Sequence, residues 1–277
     1  MAEMSLRVAR GFKTGTRIST IEVPAALRVK RTSGLLWLDD ALGGEGGFTP
    51  TTTMMLTGGP GAGKSTLVRQ LANSMTKAGH IVVYNTGEES LYQAKMACER
   101  LKLKEDFMVG EETNCPKLLE FMDNVKKAHP KKQVVLLQDS LQTLDDMKYA
   151  DAKGESRGTT SKTPTACAKL IVDWAQNSMG IAAFIGQCTK GGEFAGQNTI
   201  KHAIDTHAHM FMDDKEKSDT YGCLLFEVQK NRWGCNGKTF MLGLTNEGIE
   251  ERGHFQKAGG PTQKRNVNDE QEESDAA

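Results

Sequence analysis

The sequence predicts an α/β fold, with a mostly parallel central sheet flanked by helices and followed by a C-terminal antiparallel extension. Between residues 53 and 185, short apolar runs alternate with stretches of helical spacing, as expected when helices connect parallel strands. One run, Val134–Leu137, is continuously apolar, which is typical of a strand buried on both faces. After Ile204, strand-like runs follow one another without helices between them, which predicts antiparallel pairing.

The individual elements follow from the spacing of apolar residues and from the glycines and polar residues at their ends. The predicted core strands are Thr53–Thr57, Ile81–Asn85, Val134–Leu137 and Ile181–Ile185. The predicted helices are Leu67–Ala78, Ser90–Leu101, Pro116–Ala128 and Ala166–Gln176. The predicted strands of the extension are His207–Met212, Cys223–Gln229 and Lys238–Leu244. Four methionines are expected to fill the core, namely Met54, Met55, Met75 and Met122.

Length and composition indicate one large domain with short appendages. The 277 residues include 35 basic and 35 acidic side chains, so the net charge does not favour nucleic acid over other partners. The six cysteines form no Cys-x-x-Cys pair, which favours reduced thiols over disulfides or a zinc ribbon. Because neither a signal peptide nor a long apolar span is apparent, we expect a soluble, cytoplasmic protein without a membrane partner.

Charge is concentrated at the two ends of the chain. Residues 1–31 contain seven basic and two acidic side chains, whereas residues 256–277 contain three basic and five acidic ones. We therefore divide the chain into a basic N-terminal arm (1–30), a core (31–252) and a disordered acidic tail (253–277). The arm could hold DNA, contact a neighbouring subunit, or be a solvated segment without a partner.

A glycine-rich motif between a predicted strand and a predicted helix indicates nucleoside triphosphate binding. Residues 58–65 match the P-loop pattern G-x-x-x-x-G-K-[ST]. Backbone N–H groups and the helix N-terminus would surround the phosphates, while the lysine reaches the β- and γ-phosphates and the serine hydroxyl ligates Mg²⁺. The predicted nucleotide-binding residues here are Gly58, Gly59, Pro60, Gly61, Ala62, Gly63, Lys64, Ser65 and Thr66.

Polar residues at the carboxyl ends of other predicted strands would complete an ATPase site. Asp139 follows a buried strand, where its carboxylate can hold Mg²⁺ together with Ser65, although a helix cap is the alternative. Gln187 also follows a strand, where an amide could sense the γ-phosphate and pass the signal to the next loop. Both residues are therefore assigned to nucleotide binding.

Glu88 and Glu89 are the candidates for the catalytic base. They follow the predicted strand after the P-loop helix, where a carboxylate could accept a proton from the attacking water. Acidic residues also favour the first turn of a helix, so the pair could simply begin the next helix. Because only one carboxylate needs to face the phosphate, Glu88 is the first candidate and Glu89 the second.

One further constellation suggests a metal site. Asp205, His207 and His209 alternate along a predicted strand, so their side chains would project from one face. Such a set could hold a metal ion. We prefer the alternative, a polar face of a strand.

These motifs together resemble the RecA superfamily, and specifically its RadA/Sms branch. The resemblance covers residues 28–252 and rests on Arg31–Gly34, Leu38–Gly44, the P-loop, Thr86–Ser90, Asp139–Leu144, Thr189–Gly192, Ala195–Gly196, His202, Asp205–Thr206 and Lys230–Gly234. The last element is the most specific, and Trp233 replaces the phenylalanine of the family. Because no cysteine precedes Cys98 and the chain ends soon after the core, we expect a bare RecA-like P-loop ATPase core, without the family's zinc ribbon or Lon-protease-like domain.

The resemblance implies an oligomer in which Lys230 and Arg232 act on a neighbouring subunit's γ-phosphate, although a surface basic pair is the alternative. It also implies a hexameric ring or a filament on single-stranded DNA. The loops Asp145–Thr163 and Thr189–Lys201 would then contact DNA, unless they are merely solvent loops. The candidate DNA-binding residues are Lys153, Arg157, Lys162, Lys190, Phe194 and Lys201.

The resemblance thus predicts a DNA-dependent ATPase that uses ATP and Mg²⁺ in DNA recombination, repair or replication, through strand exchange, branch migration or DNA remodelling. Other replication or recombination proteins are candidate partners. One alternative is a non-translocating, KaiC-like ATP switch that controls assembly with a protein partner. Another is a small-molecule kinase, which the element Lys230–Arg232 and the glycine-rich loop after Gln187 argue against.

Overall fold

The computed structural model describes residues 14–44, 46–149, 158–187 and 197–256. Within these ranges the strands are β1 (Thr53–Gly58), β2 (Ile81–Thr86), β3 (Met108–Gly110), β4 (Val134–Asp139), β5 (Ile181–Gln187), β6 (Thr206–Met212), β7 (Leu224–Asn231), β8 (Lys238–Thr245) and β9 (Gly248–Gln256). They form one sheet in the order β3-β2-β4-β5-β1-β6-β7-β8-β9. The predicted α/β architecture, mostly parallel with a C-terminal antiparallel part, is confirmed.

Helices cover the sheet and make the crossovers between its parallel strands. Within the described residues they are α1 (Ala25–Arg28), α2 (Leu36–Ala41), α3 (Lys64–Lys77), α4 (Leu91–Arg100), α5 (Cys115–Ala128), α6 (Thr163–Ser178) and α7 (Gln197–Ala203). Local capping explains two of these starts: the Ser90 side chain forms a capping box with Gln93, and Asn114 accepts from the backbone N–H of Lys117. None of the helices in these ranges is both long and apolar enough to cross a lipid bilayer.

Strand β6 corrects the predicted start of the antiparallel extension. It pairs in parallel with β1, from Met54 opposite Thr206 to Gly58 opposite Met210. The antiparallel part therefore begins one strand later, at β7. The prediction was wrong because α7 begins within residues 189–201, which were assigned to a loop, so the crossover before β6 was not recognised.

The last strand also extends beyond the predicted core boundary. Strand β9 pairs with β8 as far as Gln256, opposite Lys238. Residues 253–256 therefore belong to the sheet, although the sequence assigned them to the tail. The charged run Glu250–Arg252 hid this strand, because an edge strand needs hydrogen bonds from one neighbour and few apolar side chains. The arm's described residues, 14–30, include a 3₁₀ turn at Ile18–Thr20 and α1, and neither element has a buried residue.

Two apolar cores lie on the two faces of the sheet. One contains side chains of α2 and α3, and the other contains side chains of α5 and α6. Neighbouring residues of β1 alternate between them, since Met54 belongs to the first and Met55 to the second. Met75 and Met122 are buried in the first and second core, so the predicted core role of all four methionines is confirmed.

Candidate nucleotide site

The P-loop connects β1 to α3 and encloses its own lysine. Helix α3 begins at Lys64, three residues before the predicted Leu67, because Gly63 at its N-cap adopts a φ of 81° that turns the chain. The Lys64 ammonium donates to the carbonyl oxygens of Gly58 (2.9 Å) and Gly59 (2.8 Å). Its charge therefore lies inside the loop, at the N-terminus of α3, where phosphate groups would bind.

The first glycine of the loop is required by the neighbouring strand. A Cβ atom on Gly58 would lie 2.2 Å from the carbonyl oxygen of Met210 in β6. Any larger side chain would push β1 away from β6. The glycine thus fixes both the strand pairing and the start of the loop.

Asp139 lies beside Ser65 of the P-loop. Asp139 ends β4, is 3% exposed, and forms a side-chain hydrogen bond with Ser65. Burial raises the pKa of Asp139, while the Ser65 hydrogen bond opposes that shift. A hydroxyl and a carboxylate are oxygen ligands of the kind that Mg²⁺ prefers. These two side chains therefore fit the metal ion that a P-loop nucleotide brings.

The two glutamates after β2 have different partners. Glu89 forms an ion pair with the buried Arg69 of α3, and its carboxylate also lies 3.2 Å from the Tyr84 hydroxyl. Glu88 is exposed and accepts from the Gln187 side-chain amide at 2.6 Å. The structure therefore separates a glutamate tied into the protein from one that faces outward, beside the end of β5.

Gln187 is anchored at the carboxyl end of β5. Its backbone N–H donates to the side chain of Gln142 (3.1 Å), and its carbonyl accepts from the same amide group (3.4 Å). The second candidate DNA loop, Thr189–Lys201, begins two residues later. A hydrogen bond thus connects Glu88 to the residue from which this loop departs.

Lys230 and Arg232 lie near the amino-terminal ends of β1 and β6, whereas the P-loop follows the carboxyl end of β1. Arg232 bonds to Asp205 (Nη1 to Oδ1, 2.8 Å), and Asp205 accepts from the backbone and hydroxyl of Thr53 (both 2.9 Å). Thr53 and Gly58 are the two ends of β1, roughly 17 Å apart at the usual rise of a strand. Arg232 is therefore remote from the P-loop of its own chain. Its side chain remains 45% exposed.

Lys230 has a structural role within its own chain. Its ammonium donates to three carbonyl oxygens at the end of α7, those of Lys201, His202 and Ile204 (2.7, 3.3 and 2.7 Å). A cation at this end of a helix satisfies carbonyls that have no helical partner. Burial lowers the pKa of Lys230, as does the nearby Arg232. Of the two predicted cations, Arg232 is the one with an exposed side available to a neighbour.

The other residues of the element Lys230–Gly234 hold the turn after β7 in place. The Asn231 amide donates to the carbonyls of Leu42 (3.0 Å) and Cys235 (3.3 Å), and its oxygen accepts from the N–H of Trp233 (3.1 Å). A Cβ atom on Gly234 would lie 2.8 Å from the Leu42 carbonyl oxygen. These contacts fix the turn after β7 against the end of α2, which orients the preceding cations.

The candidate DNA-binding residues are only partly described. Lys153, Arg157, Lys190 and Phe194 lie outside the described residues. Lys162 is exposed at the N-terminus of α6. Lys201 lies on α7 rather than in a loop and is half-buried, which corrects its predicted position.

Asp205 has different hydrogen-bond partners from His207 and His209. Asp205 bonds to Thr53 and Arg232, whereas His207 and His209 both contact the Thr57 hydroxyl (2.8 and 2.9 Å). No group of three or more potential ligands forms within the described part of the chain. The preferred interpretation, a polar face, describes these contacts.

Thermal stability is expected to fall as the pH decreases from 6.5 towards 4, partly because of His207. Burial lowers the pKa of His207 from 6.5 to about 4, with smaller contributions from the charges of Lys201, His209 and Lys230 and an opposing one from Glu227. The unfolded chain therefore binds the proton first, and acid favours unfolding. In melting curves recorded across this range, His207→Gln should reduce the pH dependence, while His129→Gln at an exposed site should not. An undiminished dependence in His207→Gln would contradict this assignment.

Sequence reasoning did not identify Arg69, Tyr84, Thr57 or Gln142 as parts of the site. Arg69 gave one signal, since a charged residue on the apolar face of a predicted helix requires a buried partner. The other three look like ordinary strand or loop residues. Only the folded structure brings Tyr84 to Asp139, Gln142 to Gln187, and Thr57 to two histidines of β6.

The fold and the site together define a RecA-like P-loop ATPase core. A family model described as an AAA domain matches residues 53–173. The chain is 31% identical over 241 residues to the DNA repair protein RadA of Haemophilus influenzae, covering 87% of this chain and 47% of the relative. It is 30% identical over 223 residues to the DNA repair protein RadA of Aquifex aeolicus, covering 80% and 46%.

Solved structures show the same fold at lower identity. A DnaB-like replicative helicase superimposes with a TM-score of 0.64 at 14% identity, covering 78% of this chain and 60% of that one. A KaiC-like protein from Pyrococcus horikoshii superimposes with a TM-score of 0.63 at 17% identity, covering 80% and 98%. The chain has a RadA-like core with a RecA-like fold. It spans a little under half the length of the RadA proteins named above.

Proposed function

We propose that the protein is an oligomeric, DNA-dependent ATPase that acts in DNA recombination, repair or replication. The observation that supports this most directly is the position of Arg232. It lies near the amino-terminal end of β1, whereas its own P-loop follows the carboxyl end of that strand. An arginine in that position can complete an ATP site only on a neighbouring subunit. Relatives that are DNA repair proteins support the assignment of the process.

The residues divide the work of ATP hydrolysis. Lys64 and the surrounding backbone would hold the phosphates, and Ser65 and Asp139 would hold Mg²⁺. The ion, when bound, neutralises charge on the β- and γ-phosphates. Glu88 would accept the proton of the attacking water, because Glu89 is already paired with Arg69. Arg232 of a neighbouring subunit would stabilise charge in the transition state.

DNA would act on this site through Gln187. Its side chain bonds to Glu88, and its backbone leads into the candidate DNA loop 189–201. If single-stranded DNA binds that loop, any shift of Gln187 changes the position of the base. The exposed Lys162 lies at the end of the other candidate loop. Coupling between DNA and hydrolysis thus follows from one hydrogen bond.

The test is ATP hydrolysis measured with and without single-stranded DNA. We expect DNA to stimulate the wild type, and we expect Lys64→Ala to lose about 10²–10³-fold in rate, as when one transition-state donor is removed. The matched control is Lys77→Ala, at an exposed lysine of the same helix, which should behave as wild type.

Other outcomes would overturn the proposal. Hydrolysis that is indifferent to DNA would favour the KaiC-like switch, for which the similarity at 17% identity supports only the fold. Phosphate transfer to a small molecule by a monomer would instead identify a kinase.

A further inference from the structure

A buried tyrosine lies behind the two carboxylates of the site. Tyr84 of β2 is fully buried, and its hydroxyl is 3.2 Å from Asp139 Oδ2 and 3.2 Å from Glu89 Oε1. A hydroxyl has one proton, so it can donate to only one of these carboxylates at a time. Which carboxylate receives the proton depends on the other donors present.

Arg69 decides that competition. Its guanidinium forms an ion pair with Glu89, so this carboxylate already has a charged donor. Asp139 has no such cation bonded to it among the contacts described. A hydrogen bond from Tyr84 therefore stabilises Asp139 more than it would stabilise Glu89. The Arg69 guanidinium also lies 5.8 Å from the centre of the Tyr84 ring, which restrains the ring through a cation–π contact.

The Tyr84 hydroxyl can donate to either carboxylate, because an ionised carboxylate only accepts hydrogen bonds. Its geometry, between two carboxylates and under a guanidinium, suits orientation of a charged side chain.

We propose that Tyr84 is a positioning residue for the Mg²⁺-holding carboxylate of Asp139, and that Arg69 and Glu89 hold Tyr84 in place. The proposal rests on the nucleotide-binding part of the proposed function and requires neither DNA nor an oligomer. It assigns Glu89 to the support of the metal site instead of to proton transfer. Groups that hydrogen-bond to a metal ligand commonly affect metal affinity by about 10–100-fold.

The test compares Tyr84→Phe with Tyr221→Phe, which removes the same hydroxyl from an exposed tyrosine. A fluorescent, non-hydrolysable ATP analogue is bound to each protein and Mg²⁺ is titrated, with analogue fluorescence as the readout. In Tyr84→Phe the Mg²⁺ midpoint should rise about tenfold or more. Affinity for the analogue in EDTA should not change, because the P-loop is intact.

An unchanged Mg²⁺ midpoint in folded Tyr84→Phe would overturn the proposal. If that variant does not fold, Arg69→Met is the second test. Without the guanidinium, Glu89 competes for the Tyr84 proton, so the Mg²⁺ midpoint should again rise and Arg69→Lys should restore it. A lower melting temperature with an unchanged midpoint would show that Arg69 only stabilises the fold, and would contradict the proposal.

The same measurements distinguish failure of the Tyr84 proposal from failure of the proposed function. If wild-type protein does not bind the analogue at all, the proposed ATPase is wrong. If it binds the analogue with Mg²⁺ but DNA does not stimulate hydrolysis, only the DNA-dependent part fails. Whenever the wild-type protein binds the analogue with Mg²⁺, the role of Tyr84 can be tested, whether or not DNA stimulates hydrolysis.

Discussion

Mixing two inactive variants, Lys64→Ala and Arg232→Ala, is expected to restore ATP hydrolysis that neither shows alone. In a head-to-tail oligomer, the P-loop of one subunit meets Arg232 of the next. A mixed interface can therefore join the intact P-loop of Arg232→Ala to the intact arginine of Lys64→Ala. Random equimolar mixing gives about one quarter of such interfaces. Alone, Arg232→Ala should lose about 10³–10⁵-fold in rate, as expected for a finger supplied in trans.

Arg232→Ala is a usable variant because its partner keeps other donors. Asp205 still accepts from the backbone N–H and hydroxyl of Thr53 (both 2.9 Å). The control mixes Lys64→Ala with Glu88→Gln, since both changes damage the same half of the site and mixing cannot repair it. If the Lys64→Ala and Arg232→Ala subunits assemble together without recovery of hydrolysis, Arg232 does not act in trans.

Glu88→Gln is expected to lower ATP turnover by about 10²–10⁴-fold while leaving ATP binding unchanged. The amide retains the size of the side chain but cannot accept a proton from water. Glu88 is the outward-facing glutamate, bonded to Gln187 rather than to a cation. Single-turnover hydrolysis and equilibrium nucleotide binding, measured on the same preparation, separate the two effects.

Glu89→Gln is the matched comparison and should behave in the opposite way. It weakens the ion pair with the buried Arg69, so the melting temperature should fall. At saturating Mg²⁺, turnover per folded molecule should stay near that of wild type, because Glu89 accepts no proton in the reaction. A large loss of turnover in Glu89→Gln, with Glu88→Gln still active, would exchange the roles of the two glutamates.

The two variants differ because neighbouring residues in the chain acquire different surroundings in the fold. The sequence predicts that one glutamate near the end of β2 is the base, but the local sequence around Glu88 and Glu89 does not distinguish the two. Arg69, from α3, and Tyr84, from β2, both reach Glu89. Gln187, from a strand on the far side of β4, reaches Glu88. No local pattern contains this information.

Some strands could likewise be predicted from local sequence, whereas others depend on contacts with distant residues. Strands β1, β2, β4 and β5 were predicted because apolar runs report burial on both faces directly. Parallel pairing of β6 was missed because it depends on a crossover formed by a short helix that follows a glycine-rich segment. Strand β9 was missed because β8 supplies its hydrogen bonds, and its own side chains give little apolar signal.

The sequence by itself determined the P-loop, the carboxylate after β4, the strand–helix alternation and the resemblance to RadA proteins, because each depends on contiguous residues or on local spacing. Tertiary structure alone decided which glutamate is tied to a cation, which tyrosine supports Asp139, and that Arg232 lies a full strand length from its own P-loop. These depend on residues brought together from separate elements. Their energies come from burial and charge pairing, which exist only after the chain has folded.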